Sequence, residues 1–352
     1  MAASGESAAP ASLTPLPTQT PLPFAAPSPP PEVTAPQVPA PKSLPEPTPL
    51  TPQPPLSTAP VARRHWLWPR LIDFAKLMRL DRPIGIWLLL WPTLWALWTA
   101  SGGHPQRGVL LIFVIGTVLM RSAGCVINDF IDRNIDPHVR RTRDRPLAAR
   151  RVSPVEALLL FATLVASSFA LVLQLNMTTV RLSFIGAALT LSYPLLKRFF
   201  ALPQLYLGLS FGWAVPMAFA AELGTVPRVG WVMLLAAILW ACVYDTFYAI
   251  ADRPDDLRIG IKSSAITFGD LDLLMIGAMQ LMVLVALGLI GRLLELGAPY
   301  FISLAVGAAL FAWQQWSARH RDSAGCLAAF HNNNYFGLMV LAGLIIDYTS
   351  QS

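Results

Sequence analysis

The chain has 352 residues, 54% of them hydrophobic and only 13% charged, with a net charge of +6. Soluble domains carry roughly a quarter charged residues, so this composition excludes an ordinary soluble globule and points to a polytopic membrane protein. The positive charge does not mark a nucleic-acid binder, because no stretch interleaves basic and aromatic residues in a soluble module. Cys125, Cys242 and Cys326 show no paired spacing, which gives neither a disulfide framework nor a zinc site.

Residues 1–62 form the first segment. Residues 1–60 hold 19 of the 32 prolines and almost no aromatics. Such a segment cannot bury enough apolar surface to offset its chain entropy, and it is expected to be a disordered, partly extended tail. It lacks the arginines of a mitochondrial presequence and the apolar core of a signal peptide. Residues 63–352 are expected to form a single membrane domain. It opens with "WLWPRLIDFAKLMRL" (66–80), which mixes large apolar residues with Arg70, Asp73, Lys76 and Arg79, as does a helix lying along a bilayer surface.

Apolar runs follow near 84–102, 108–130, 154–175, 178–195, 202–221, 229–250, 271–291, 297–315 and 333–349. Each is close to the roughly 20 residues that cross a hydrocarbon core of about 30 Å. The expected fold is therefore all-α, with nine transmembrane helices. With a cytoplasmic N-terminus, alternating loops place twenty basic residues on the inner side and four, Arg107, Arg181, Arg228 and Arg292, on the outer. The positive-inside rule supports this orientation and accounts for the net charge. Arg121 falls inside a span and is not counted.

Two spans end in acids. "NDFIDRNID" (128–136) closes the second run and "DTFYAIADRPDD" (245–256) the sixth, and together they hold seven of the twenty acidic residues. On a continuous helix Asn128, Asp132 and Asp136 form an i, i+4, i+8 stripe flanked by Asp129. Asp245, Asp252 and Asp256 share a second face. Like charges at this spacing repel, and the helix C-termini expected at Pro137 and Pro254 disfavour negative charge further. A bound divalent cation removes both objections. All the donors are oxygens, a set that suits Mg²⁺, and the arginine-rich loop "VRRTRDRP" can hold phosphate oxygens. The alternative for either cluster alone is a solvated helix end paired with loop arginines. Two matching clusters at equivalent places favour the shared explanation, with the clusters facing each other across a cavity.

Other stretches have plainer readings. Tyr193 and Lys197 lie four apart at a cytoplasmic end, where Lys197 satisfies the positive-inside rule. Gly208 and Gly212 are spaced for close helix packing. Asn332–Asn334 read as a helix cap, His138 as a surface residue and the cysteines as packing residues.

These motifs resemble those of the UbiA-type membrane prenyltransferases. "NDFIDRNID" is similar to the family's NDxxDxxxD motif, "DRPDD" to its second, DxxxD motif and "YPLLK" to its YxxxK motif. "RLDRPIGIWLLLWPTLWALW", "RTRDRPL", "LPQLYLGLSFGWAVPMAFAA" and "HNNNYFGL" resemble the bacterial branch that prenylates 4-hydroxybenzoate in ubiquinone synthesis. The resemblance covers about residues 66–349 and leaves out the proline-rich tail.

The resemblance implies a cavity open towards the cytoplasm and laterally to lipid, in an inner-membrane enzyme with no nucleic-acid and no evident protein partner. It implies Mg²⁺ held by Asn128, Asp132, Asp136, Asp252 and Asp256, and a polyprenyl diphosphate whose oxygens meet Arg141, Arg145 and Lys197. Arg79 is the expected partner of the 4-hydroxybenzoate carboxylate. Tyr193 and Asp129 are further substrate-binding candidates, and Asp252, Lys197 and Arg145 the catalytic ones, with Asp252 a candidate to take the ring proton. The alternatives are another aromatic acceptor or, from a different class, a cation-coupled transporter.

Overall fold

The structure, a computed structural model, describes residues 67–138, 142–196, 202–260 and 262–351. The expected disordered tail, Arg141 and Lys197 lie outside these residues. Among the described residues the regular structure is entirely helical. In chain order the α-helices are α1 (Leu67–Leu77), α2 (Ile84–Ala100), α3 (Arg107–Ile131), α4 (Pro154–Val172), α5 (Met177–Leu196) and α6 (Pro203–Gly212). They continue with α7 (Ala214–Leu223), α8 (Arg228–Ile259), α9 (Ser264–Phe268), α10 (Asp272–Leu293), α11 (Ala298–Ala318) and α12 (Ser323–Gln351).

Every apolar run of the sequence falls on helix. The fifth is broken at Trp213 into α6 and α7, because Pro216 has no N–H for the Gly212 carbonyl and its ring crowds that turn. Four stretches among the described residues are each long and apolar enough to cross a membrane: Arg107–Ile131, Pro154–Val172, Arg228–Pro254 and Ser264–Leu293. Large apolar side chains such as Leu111, Leu159, Phe184, Leu281, Leu289 and Ile302 face outward. A soluble surface of this kind would aggregate; a multi-pass membrane protein offers it to lipid.

Helix α8 lies centrally, against α6, α10 and α12, while α2 packs on α3, α7 and α12. A Cβ on Gly208 would stand 2.7 Å from the Ile238 carbonyl oxygen, so the two small residues of α6 do bring its backbone onto α8. Trp95, Trp240 and Phe336 fill the core with mutually tilted rings.

The asparagine triplet lies inside α12 instead of capping it. Successive residues of a helix point about 100° apart, and the three amides reach three different helices. Asn332 accepts from Gln314 of α11 (3.0 Å), Asn333 from the Trp240 indole of α8 (2.9 Å) and Asn334 from the Trp91 indole of α2 (2.8 Å).

Helix α1 exposes Trp68, Leu71 and Ile72 and buries Leu77, the two-faced pattern expected of a surface helix. It is tied to the start of α4 by an Arg70–Glu156 ion pair and by Arg151 to Asp73 at 2.8 Å. Ser153 and Glu156 form a reciprocal capping box at that start, with Pro154 in the first turn, which fixes where α4 begins.

Candidate active site

A cavity of about 1110 Å³ opens between α2–α8, the end of α1 and the start of α12. Leu88, Phe113, Val165, Phe169, Phe211 and Met217 contribute to an apolar wall, while Asn128, Asp129, Arg145, Asp245 and Asp252 supply polar groups. Arg79, Arg121 and Tyr193 line it as well. Residues from both acid motifs thus face one space, carried there by α3 and α8. Its volume exceeds the few hundred Å³ of a site for one small aromatic acid.

The first acid stripe is not the continuous helical face expected. Helix α3 ends at Ile131, Asp132 is its C-terminal cap, and Asp136 opens a short 3₁₀ turn, Asp136–His138. The chain therefore folds back, and Asp136 comes beside Asp129. Both are buried, and Arg145 Nη1 donates to Asp129 at 3.0 Å and to Asp136 at 2.9 Å. Arg79 Nη2 holds both oxygens of Asp129, at 2.9 and 3.0 Å, and its Nη1 donates to the Lys76 carbonyl. The Asp136 carboxylate thus pairs with Arg145 and is not among the residues lining the cavity. The Arg79 guanidinium pairs with a carboxylate of its own chain.

Removing one partner from such a buried network leaves charge uncompensated. Asp129→Ala leaves Arg79 without its carboxylate and Arg145 with Asp136 alone. It is expected to destabilise the protein by about 3–5 kcal/mol, read as a lowered unfolding temperature in detergent.

The second motif keeps helical geometry, with Asp245, Asp252 and Asp256 all in α8. Pro254 does not end that helix, which continues to Ile259. Asp245 is hydrogen-bonded by Gln204 and feels the charges of Asp252 and Asp256. Gln204 also accepts from the Ser264 N–H, at 3.0 Å. Gln204 was visible in the sequence only as a polar residue in an apolar run.

Arg121 carried a stronger signal than its omission from the charge count allowed. A cation within a span is costly and generally faces a polar cavity. Its guanidinium lies against Gly85, where a Cβ would stand 2.6 Å from Nη2. Nη1 donates to the Cys125 sulfur, and the buried Nε has no hydrogen-bond partner.

Among the described residues, no three His, Cys, Asp or Glu side chains gather closely enough to hold a metal by themselves. The cavity offers oxygen donors, Asn128, Asp245 and Asp252, without a closed cage. That fits Mg²⁺, which takes one or two carboxylates and completes its shell with phosphate and water oxygens.

The UbiA prenyltransferase family model matches residues 89–339. The chain is 53% identical to the 4-hydroxybenzoate octaprenyltransferase of Pseudomonas aeruginosa over 289 residues, 82% of this chain and 97% of that protein. It is 57% identical to the enzyme of the same name from Azoarcus, over 79% of this chain and 97% of that protein. Among solved structures, the apo UbiA homolog of Aeropyrum pernix superposes with a TM-score of 0.66 at 28% identity, covering 75% of this chain and 97% of that one. The Archaeoglobus fulgidus UbiA homolog bound to GPP and Mg²⁺ shares the fold, with a TM-score of 0.57 at 16% identity over 78% of this chain and 99% of that one. With its acids converging from two helices on one cavity and its sequence matched across the membrane domain, this chain belongs to the UbiA prenyltransferase family.

Proposed function

We propose that the protein transfers a polyprenyl group from polyprenyl diphosphate to the carbon ortho to the hydroxyl of 4-hydroxybenzoate, giving 3-polyprenyl-4-hydroxybenzoate for ubiquinone synthesis. The observation that carries this reading is the cavity, apolar along one wall and bearing residues of both acid motifs with Arg79, Arg121 and Arg145. The names of the relatives supply the acceptor. The enzyme works in the bacterial inner membrane through nine spans, with its N-terminus and polar loops cytoplasmic, as the twenty-to-four distribution of basic residues supports.

Asn128 and Asp252, which line the cavity, with Asp132 and Asp256 beside them in the two motifs, would hold Mg²⁺. When bound, the ion neutralises diphosphate charge and makes it a better leaving group. Arg145, Arg141 and Lys197 donate to diphosphate oxygens as the allylic C–O bond breaks and its electron pair leaves with the diphosphate. The apolar wall holds the isoprenoid and keeps water from the allylic carbon. A ring π pair forms the new C–C bond, and the displaced ring proton passes to a carboxylate of α8, for which Asp252 is the candidate. Tyr193 and Asp129 complete the polar lining, Asp129 by holding Arg79 and Arg145 in place.

Arg121 suits the acceptor's carboxylate better than Arg79 does. It lines the cavity from within a span, whereas Arg79 is taken up by Asp129.

The deciding experiment incubates purified full-length protein with Mg²⁺, 4-hydroxybenzoate and polyprenyl diphosphates, including the octaprenyl chain, followed by mass spectrometry of the lipid extract. Dihydroxynaphthoate and homogentisate serve as competing acceptors. A prenylated product from either of these alone would overturn the acceptor assignment.

The proline-rich tail is outside this chemistry. The Pseudomonas aeruginosa relative is matched over 97% of its length by 289 residues of this chain, so its length needs no such segment. A chain beginning at residue 61 is expected to insert and to keep its turnover. Loss of membrane insertion in the truncated protein would show that the tail has been misread.

A further inference from the structure

The second acid motif contains an arginine, Arg253, directly after Asp252. Its Nη2 pairs with Asp272, the first residue of α10, whose side chain is wholly buried. Arg321, in the turn between α11 and α12, meets the same carboxylate through Nε at 2.9 and 3.2 Å and donates from Nη2 to the Asp270 carbonyl at 2.8 Å. One buried carboxylate therefore joins the end of α8, the start of α10 and the α11–α12 turn.

The first motif has a counterpart, Asp129 between Arg79 and Arg145. In each clasp one arginine has a left-handed backbone, Arg79 at φ 59° and Arg321 at φ 56°.

The end of α8 needs such a fastening. Pro254 provides no N–H to the Ile250 carbonyl, so the helix loses a rung of its own ladder beside Asp252. Neighbouring residues on a helix differ in direction by about 100°. Fixing Arg253 therefore fixes the rotation of α8 and the direction in which Asp252 and Asp256 face.

We propose that Asp272 is a positioning residue: by clasping Arg253 and Arg321 it sets the aim of the second acid motif at the metal-diphosphate substrate. This rests on the proposed function for the identity of the substrate, and it acts on the diphosphate end without touching the acceptor.

The test uses full-length protein in detergent and two readouts. The first is calorimetric titration with MgCl₂ and geranyl S-thiolodiphosphate, an unreactive analogue. The second is the KM for 4-hydroxybenzoate. Asp272→Asn keeps the shape and removes the charge. It is expected to weaken binding of the Mg²⁺–thiolodiphosphate pair by about tenfold or more, the usual effect of losing a residue that orients metal ligands, while the acceptor KM changes less than about twofold on the same grounds. Arg321→Lys loses the planar fork but not the charge, and a smaller shift in the same direction is expected.

Asp347→Asn is the control, since Asp347 is equally buried but meets the Gly297 N–H and Gln351. It should lower stability without changing analogue binding. The proposal is overturned if Asp272→Asn, like the control, loses only thermal stability. Should Asp272→Asn not fold, parental analogue affinity in Arg321→Lys overturns it equally. If the parent binds the analogue but prenylates no 4-hydroxybenzoate, the functional reading fails, and the binding comparison still decides the role of Asp272.

Discussion

Asp252→Asn is expected to lower prenyl transfer by about a hundredfold or more, the scale of losing preorganised charge at a transition state, without destabilising the metal-free protein. Asp132→Asn should do the same. Each substitution removes one negative charge with little change of shape. Asp252 lies in α8 with Asp245 and Asp256, and Asp245 feels the charges of both. Neutralising Asp252 relieves that repulsion when no cation is present. The unfolding temperature without Mg²⁺ should therefore equal or exceed the parent's, while turnover collapses. Excess Mg²⁺ should restore part of the rate where the defect is chiefly metal affinity. Near-parental turnover in both variants would reduce the motifs to solvated helix ends and leave the proposed chemistry without its centre.

Replacing Arg121 by methionine should raise the KM for 4-hydroxybenzoate by about 10- to 100-fold, the worth of a charge-assisted hydrogen bond in a site with little water. Binding of the diphosphate analogue should barely change. Gly85→Ala offers a gentler probe. The new methyl would stand 2.6 Å from Nη2 and 2.7 Å from Nε, so it must push the guanidinium aside, and the acceptor KM should rise without loss of charge. Arg79→Ala should behave differently, losing stability through a buried Asp129 left with Arg145 alone more than it alters acceptor binding. A selective acceptor defect in Arg79→Ala, with a parental KM in Arg121→Met, would return the carboxylate to Arg79.

The helices and the two motifs were legible in the sequence because bilayer thickness fixes the length of an apolar run and because clustered acids stand out against so few charges. What periodicity could not show was where a helix yields to tertiary contacts. Asp132 and Asp136 look like successive rungs of α3, yet the chain turns after Ile131 because Arg145 can bind Asp129 and Asp136 together only if they approach each other. Pro254 looked like a stop, but a long central helix packed on several sides tolerates the lost rung. Arg79 and Arg121 are both arginines near the entrance motifs. Only three dimensions reveal that the first is held by both oxygens of Asp129, while the second reaches the Cys125 sulfur. Asp272 carried no signal at all, being an ordinary acid at the start of a span until Arg253 and Arg321 are seen to share it.

The three asparagines of α12 also bear on the order of events during synthesis. Ribosomes deliver the N-terminus first, so Trp91 and Trp240 enter the bilayer well before Asn333 and Asn334 have been made. Until then their indole N–H groups lack the partners they have in the finished protein, a cost of several kcal/mol for each such group in hydrocarbon. The arrival of α12 satisfies both at once and takes up the Gln314 amide through Asn332. A slip of α12 by one residue would put His331 or Tyr335 where an asparagine stood and forfeit one of the three bonds. The complete set of three bonds therefore forms in one register, and only with α2, α8 and α11 in place.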